Sequence, residues 1–267
     1  MPMGQKLKAA PVYFTIAQVR FNPVLSLKDY MPAVQEQMRK AGYPDFKHNV
    51  TVSLNIAMTP DAQSQQGMPT PVRSDRFVFS NMENTRGFIL QQNALSIQVT
   101  DYDTFQLLLN EFIKGLDIVR KAIDLNFSER VGIRYLDAVV PKKGDELSQY
   151  LVPEVMGIAA RLEGAAIVHS FSETVANIRD VGQVKARTII RVGPVGFPPD
   201  LQPDGLKLKE QFQKVNQLHA IIDTDGAIER RESFNLETVK NRLNDLHMEI
   251  SKAFRATTTE YALSVWR

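Results

Sequence analysis

The chain has 267 residues, 43% hydrophobic and 23% charged, with a formal net charge of +2 and no cysteine. That length can bury a sizeable core as one large domain or two average ones, and the missing cysteine excludes disulfides, thiol nucleophiles and Cys-ligated metal centres and suits a reducing cytoplasm. Near-neutral charge lacks the basic excess usual in a nucleic-acid domain, Met1–Lys8 has no apolar core of signal-peptide length, and no run approaches the ~18 apolar residues of a membrane span.

In chain order, Val12–Phe21 is rich in β-branched and aromatic residues and predicts a strand. Ser26 and Asp29 then resemble a capping box opening a helix to Lys40, with Gly42 as its stop. Val50, Val52, Leu54, Ile56 and Met58 alternate with smaller or polar residues, a strand with one buried face. The Pro- and Gln-rich stretch 59–71 predicts a loop, and short strands follow near 72–80, 86–91 and 95–100. Asp103, with Gln106, predicts the cap of a second helix, whose stripe is Phe105, Leu108, Leu109, Phe112, Leu116, Val119 and Ile123.

The pattern then restarts. Arg130–Val140 predicts a strand, 146–163 a helical stretch broken near Pro153, and 165–180 and 183–194 two long strands. A Pro-rich loop covers 193–204, with a helical turn near Lys207–Phe212. His219–Asp223 predicts a strand and Asp223–Gly226 a turn, while Asn235 caps a last helix with the stripe Leu236, Val239, Leu243, Leu246, Ile250 and Phe254.

Strand, helix, several strands and a long helix thus occur twice, over 1–124 and 125–267, within one compact unit. The fold class is α+β: a curved antiparallel sheet with long helices on one face. In element order this resembles the tandem helix-grip arrangement of the TATA-binding protein and its fold relatives. One larger α+β sheet and two ferredoxin-like units are the alternatives.

Alternation then assigns faces. Val131, Ile133 and Tyr135 turn toward the helices, as do Val184, Ala186, Thr188 and Ile190 on a second strand. Arg130, Arg134, Lys185, Arg187 and Arg191 turn away, a candidate surface for phosphate, carboxylate or an acidic protein patch. Glu173 and Asp137 are the carboxylates placed to neutralise it.

Reaction motifs are absent. The histidines (His48, His169, His219, His247) form no metal-ligand spacing, and the sequence has no phosphate-cradling glycine loop and no nucleophile elbow. Asp223-Thr224-Asp225-Gly226 begins like a calcium loop, but Phe234 stands where its last acidic ligand belongs. His169 points away from Ser170 and Ser172, so these form no dyad. No cofactor and no metal is expected.

Three phrases carry a further likeness: RVGIRYLDAV at 130–139, HAIIDTDG at 219–226 and LNDLHMEISKAFRATTTEY at 243–261. Together with the N-terminal strand and the GYP at 42–44, they resemble a sporadically distributed family of uncharacterised bacterial and archaeal proteins of about this size. Its sharpest marks here are Arg134-Tyr135 and Leu246-His247 with Phe254. The resemblance implies no activity, cofactor or catalytic residue; its patchy distribution is like that of defence and toxin–antitoxin genes. The leading expectation is a cytoplasmic, non-enzymatic binding module with a protein partner or a homo-oligomeric assembly. The alternatives are nucleic-acid binding through the basic face and a metal-dependent hydrolase or nuclease using Asp223, Asp225 and His247.

Overall fold

The computed structural model describes residues 9–55, 70–162, 164–201, 203 and 205–267. The elements are β1 (Val12–Phe21), α1 (Leu27–Lys40), β2 (Asp45–Asn55), β3 (Thr70–Ser80), β4 (Arg86–Gln91), β5 (Ala94–Val99) and α2 (Phe105–Ala122). Then come β6 (Phe127–Val139), α3 (Leu147–Tyr150), α4 (Pro153–Met156), β7 (His169–Ile178), β8 (Gly182–Pro194), α5 (Glu210–Gln213), β9 (Asn216–Ser233), α6 (Leu236–Thr257) and α7 (Glu260–Trp266).

All nine strands join one open antiparallel sheet in the order β2-β3-β4-β5-β1-β6-β9-β8-β7. In the first half the chain leaves β1 through α1, starts again at the far edge and meanders back through β5 to lie beside β1. In the second half it leaves β6, crosses to the opposite edge and returns through β9 to β6. The halves meet where β1 pairs with β6. A bulge there lets β1 gain a residue between Val12 and Phe14, and Tyr13 and Phe14 are both fully buried.

The long helices share one face. Leu27, Met31, Val34 and Met38 of α1 join Leu108, Leu109, Phe112, Leu116 and Val119 of α2 and Val239, Leu243, Leu246 and Ile250 of α6 in one core with Ala17, Val19, Val131, Ile133 and Tyr135. The apolar stripes therefore pack as their spacing requires. Gly42 (φ +100°) ends α1 in a Schellman motif: its N–H reaches the carbonyl of Arg39, and that of Tyr43 reaches Met38.

Several local expectations need correction. The side chain of Ser26 makes no cap; its backbone (φ −86°, ψ 25°) is not in the extended conformation of a capping residue, and the Asp29 N–H bonds the Ser26 carbonyl instead. Thr104, not Asp103, caps α2, accepting from the Leu107 N–H at 3.3 Å. Thr70 and Pro71 already belong to β3, and the rest of the expected loop, with Ile56 and Met58, lies outside the described residues.

The largest correction concerns Asp223–Gly226. β9 runs unbroken for 18 residues, with no turn. Gly226 is there for a different reason: a Cβ at that position would meet Ile250 Cδ1 of α6 at 3.0 Å, so the missing side chain lets the helix approach the strand.

The second face is also partly covered, contrary to the expected bare layer. Val195, Phe197, Leu201, Leu206, Leu208 and Phe212 lie over Tyr13, Phe14, Leu136, Ala138 and Ile221 in a separate apolar cluster. Tyr13 donates its hydroxyl hydrogen to the Gly196 carbonyl at 2.6 Å. Thr100 does the same to Lys207 at 2.6 Å. Among the described residues no helix is long and apolar enough to cross a membrane.

Candidate functional site

The parity of β6 and β8 places Arg130, Arg134, Lys185, Arg187 and Arg191 on the sheet face opposite α1, α2 and α6. Their environments differ sharply.

Arg134 is buried. Its Nε and Nη2 donate to the two oxygens of Asp223 at 2.7 Å each. Its Nη1 and Nη2 donate to Asp200 at 2.7 and 3.2 Å. One guanidinium thus grips two carboxylates, each in a bidentate fork. Burial opposes its charge, but the hydrogen bonds it donates to Asp223 and Asp200 outweigh this and hold it protonated more firmly than usual. Asp200 in turn is held below the ordinary carboxylate range, first by the Arg134 hydrogen bond. The fork fastens Asp200 and the residues before it to the sheet, so Arg134 is an internal rivet rather than an exposed charge.

Arg187 is also committed. Its Nε donates to Glu173 Oε2 at 2.5 Å and its Nη1 to Asp223 Oδ2 at 3.2 Å. Glu173 therefore acts as the neutralising carboxylate, whereas Asp137 lies on the helix side, buried, and meets none of these cations. Three carboxylates surround two guanidinium groups, which removes the basic character of the centre of this face.

Arg130 and Lys185 remain more open. Arg130 folds across Gly132, reaching Gln18 Oε1 at 3.2 Å and Glu229 at 3.7 Å. Lys185 is paired in register with Asp225 on β9. Both line a concavity of about 620 Å³ with Gln183, Asp225, Glu229 and Arg230. Burial raises the Asp225 carboxyl, and the positive charges of Arg130, Arg134 and Lys185 oppose that rise. The lining alternates cation and anion, a pattern suited to a partner with both signs of charge. Arg191 stands apart, against Gly196, next to His219 in register.

The hydrolase set does not assemble. Asp223 and Asp225 face the cations of β6 and β8, whereas His247 belongs to α6 and meets Tyr135 on the other side of the sheet. No group of three or more potential metal ligands occurs among the described residues.

A polar cluster on the helix side escaped the sequence reading. His247 Nδ1 lies 3.1 Å from the Tyr135 hydroxyl, and its ring stacks on Phe105 at 3.9 Å. Burial lowers the imidazole to about 4. Two residues beyond Tyr135 along β6, Asp137 is pushed up to about 8 by burial. Tyr102 stands edge-on to Tyr135 at 5.4 Å. The sequence pairs Arg134-Tyr135 and Leu246-His247 thus meet through Tyr135 and His247, where they hold α6 to the sheet.

No family model, curated protein or solved structure matches this chain.

Proposed function

We propose that this protein is a non-enzymatic binding module, a subunit or regulator in a bacterial complex, that docks a protein partner against the concavity of Arg130, Lys185 and Asp225. The observation that carries this reading is the concavity itself. It lies on four paired strands, β6, β9, β8 and the end of β7, and offers charges of both signs that are only loosely engaged within the chain. The strands provide a rigid platform, and charge complementarity on such a platform governs partner choice more than raw affinity. The reading draws further support from the sequestration of Asp223, whose carboxylate oxygens are taken up by Arg134 and Arg187.

Nucleic-acid binding has less support. Arg134 and Arg187 are each engaged by two carboxylates, so few cations are left to release counterions.

The test is affinity capture from the native host with the wild type and with the Arg130→Glu/Lys185→Glu variant. A protein retained in fixed ratio by the wild type and lost by the variant, with unchanged melting temperature, is the expected result. No stable protein partner for the wild type would overturn the reading. Oligonucleotide binding that weakens steeply with salt and disappears in Arg191→Glu would favour nucleic acid instead.

A further inference from the structure

We propose that β7 is the seam of a two-fold symmetric dimer, in which the edge strands of two copies pair antiparallel and join both sheets into one. The inference does not rest on the concavity, of which β7 supplies only the rim residues Asn177 and Ile178. It starts from the exposed edge. β7 is ten residues long, pairs with β8 without a register shift, and ends the sheet. Edge strands are commonly guarded against such pairing by lysine, proline or a bulge. β2, at the other end, carries Asp45 and Lys47, ion-paired at 3.2 Å. β7 has none of these guards: its sequence, HSFSETVANI, holds a single formal charge, Glu173, and one oxygen of that carboxylate accepts from Arg187.

The outward backbone can be read from the ladder. The Val192 N–H donates to the Val168 carbonyl, so Val168 bonds inward. In an antiparallel pair, inward and outward residues alternate. His169, Phe171, Glu173, Val175 and Asn177 therefore present N–H and C=O to the open edge. Their side chains lie together on the face opposite the long helices, where Phe171 is 55% and Val175 48% exposed.

Among the registers that a two-fold axis permits on this strand, three centre on Phe171, Ser172 or Glu173. Centring on Glu173 sets the two copies' Glu173 side chains against each other, and like charges directly opposite are unfavourable. Centring on Ser172 sets each Phe171 against a glutamate. Centring on Phe171 sets ring against ring and places each His169 opposite the other copy's Glu173, and this register alone matches apolar with apolar and imidazole with carboxylate. It is the one assigned here.

The chain has no cysteine, so single cysteines report the register directly. Sedimentation of the wild type should show a dimer at micromolar concentration, and Phe171→Lys and, separately, Val175→Lys should each be monomeric with unchanged circular dichroism. Under oxidation Phe171→Cys should crosslink copy to copy, because facing Cα atoms in such a pair are about 5.5 Å apart, within disulfide reach. A wild type that stays monomeric, a dimer indifferent to both lysine variants, or crosslinking confined to Ser172→Cys or Glu173→Cys would overturn the proposal.

Discussion

Arg134 shows how a charge on a predicted outer face becomes part of the interior. Alternation placed its Cβ on the correct side of β6, and the structure agrees. The sequence pattern could not show that a segment more than sixty residues downstream folds over it and delivers Asp200. Removing one member of a buried ion pair strips the other of its main partner, and here Asp223, which has no solvent contact, would keep only the longer contact to Arg187. Arg134→Ala is therefore expected to cost about 3–5 kcal/mol in denaturant unfolding. Arg134→Met combined with Asp223→Leu should recover much of that loss. On the helix side, Asp137 and His247 oppose each other in pH dependence. The Asp137 carboxyl rises from 3.8 to about 8 on folding, so the folded chain holds the extra proton and stability falls as pH climbs through that window. The His247 imidazole drops from 6.5 to about 4, so its contribution is lost as pH falls from 6.5 toward 4. From these two groups the wild type should be nearly level between pH 4 and 6.5 and decline from 6.5 to 8. Asp137→Asn should abolish the decline, and His247→Gln should extend it down to pH 4; thermal melts across that range decide both.

At the scale of elements, periodicity was the reliable guide and punctuation the unreliable one. The stripes of α2 and α6 were readable because nothing but a helix aligns Leu108, Phe112, Leu116 and Val119, or Val239, Leu243, Leu246 and Ile250, on one buried side. Asn235 was readable as a cap because its side chain accepts from the N–H groups of Glu237 and Thr238. Asn235→Ala should cost about 1 kcal/mol, measurable by chemical unfolding. The Asp-Gly of β9 misled because a turn signal is local, whereas its purpose here is tertiary. Asp223 faces Arg134 and Arg187, Gly226 admits Ile250, and the strand continues between two partners. Restoring a side chain with Gly226→Val should force α6 away from β9 and cost about 1–3 kcal/mol by overpacking, with the α6 amides losing hydrogen-exchange protection first.

The fold of the whole molecule was legible as a repeated element order and a single antiparallel layer with helices on one side. The strand order and the covering of the second face were not, because both depend on contacts between residues far apart in the chain. The concavity was half legible: the sequence supplied Arg130 and Lys185, but only the register of β9 brings Asp225 between them. The join between halves has a consequence for biosynthesis. β1 is made first and occupies the middle of the finished sheet, with β5 on one flank and β6 on the other. During translation β5 emerges well before β6, so the nascent N-terminal half presents β1 as an uncovered rim for on the order of seconds at ordinary elongation rates. Whatever attends this chain as it leaves the ribosome meets that rim, and truncation just before Phe127 would make the interval permanent.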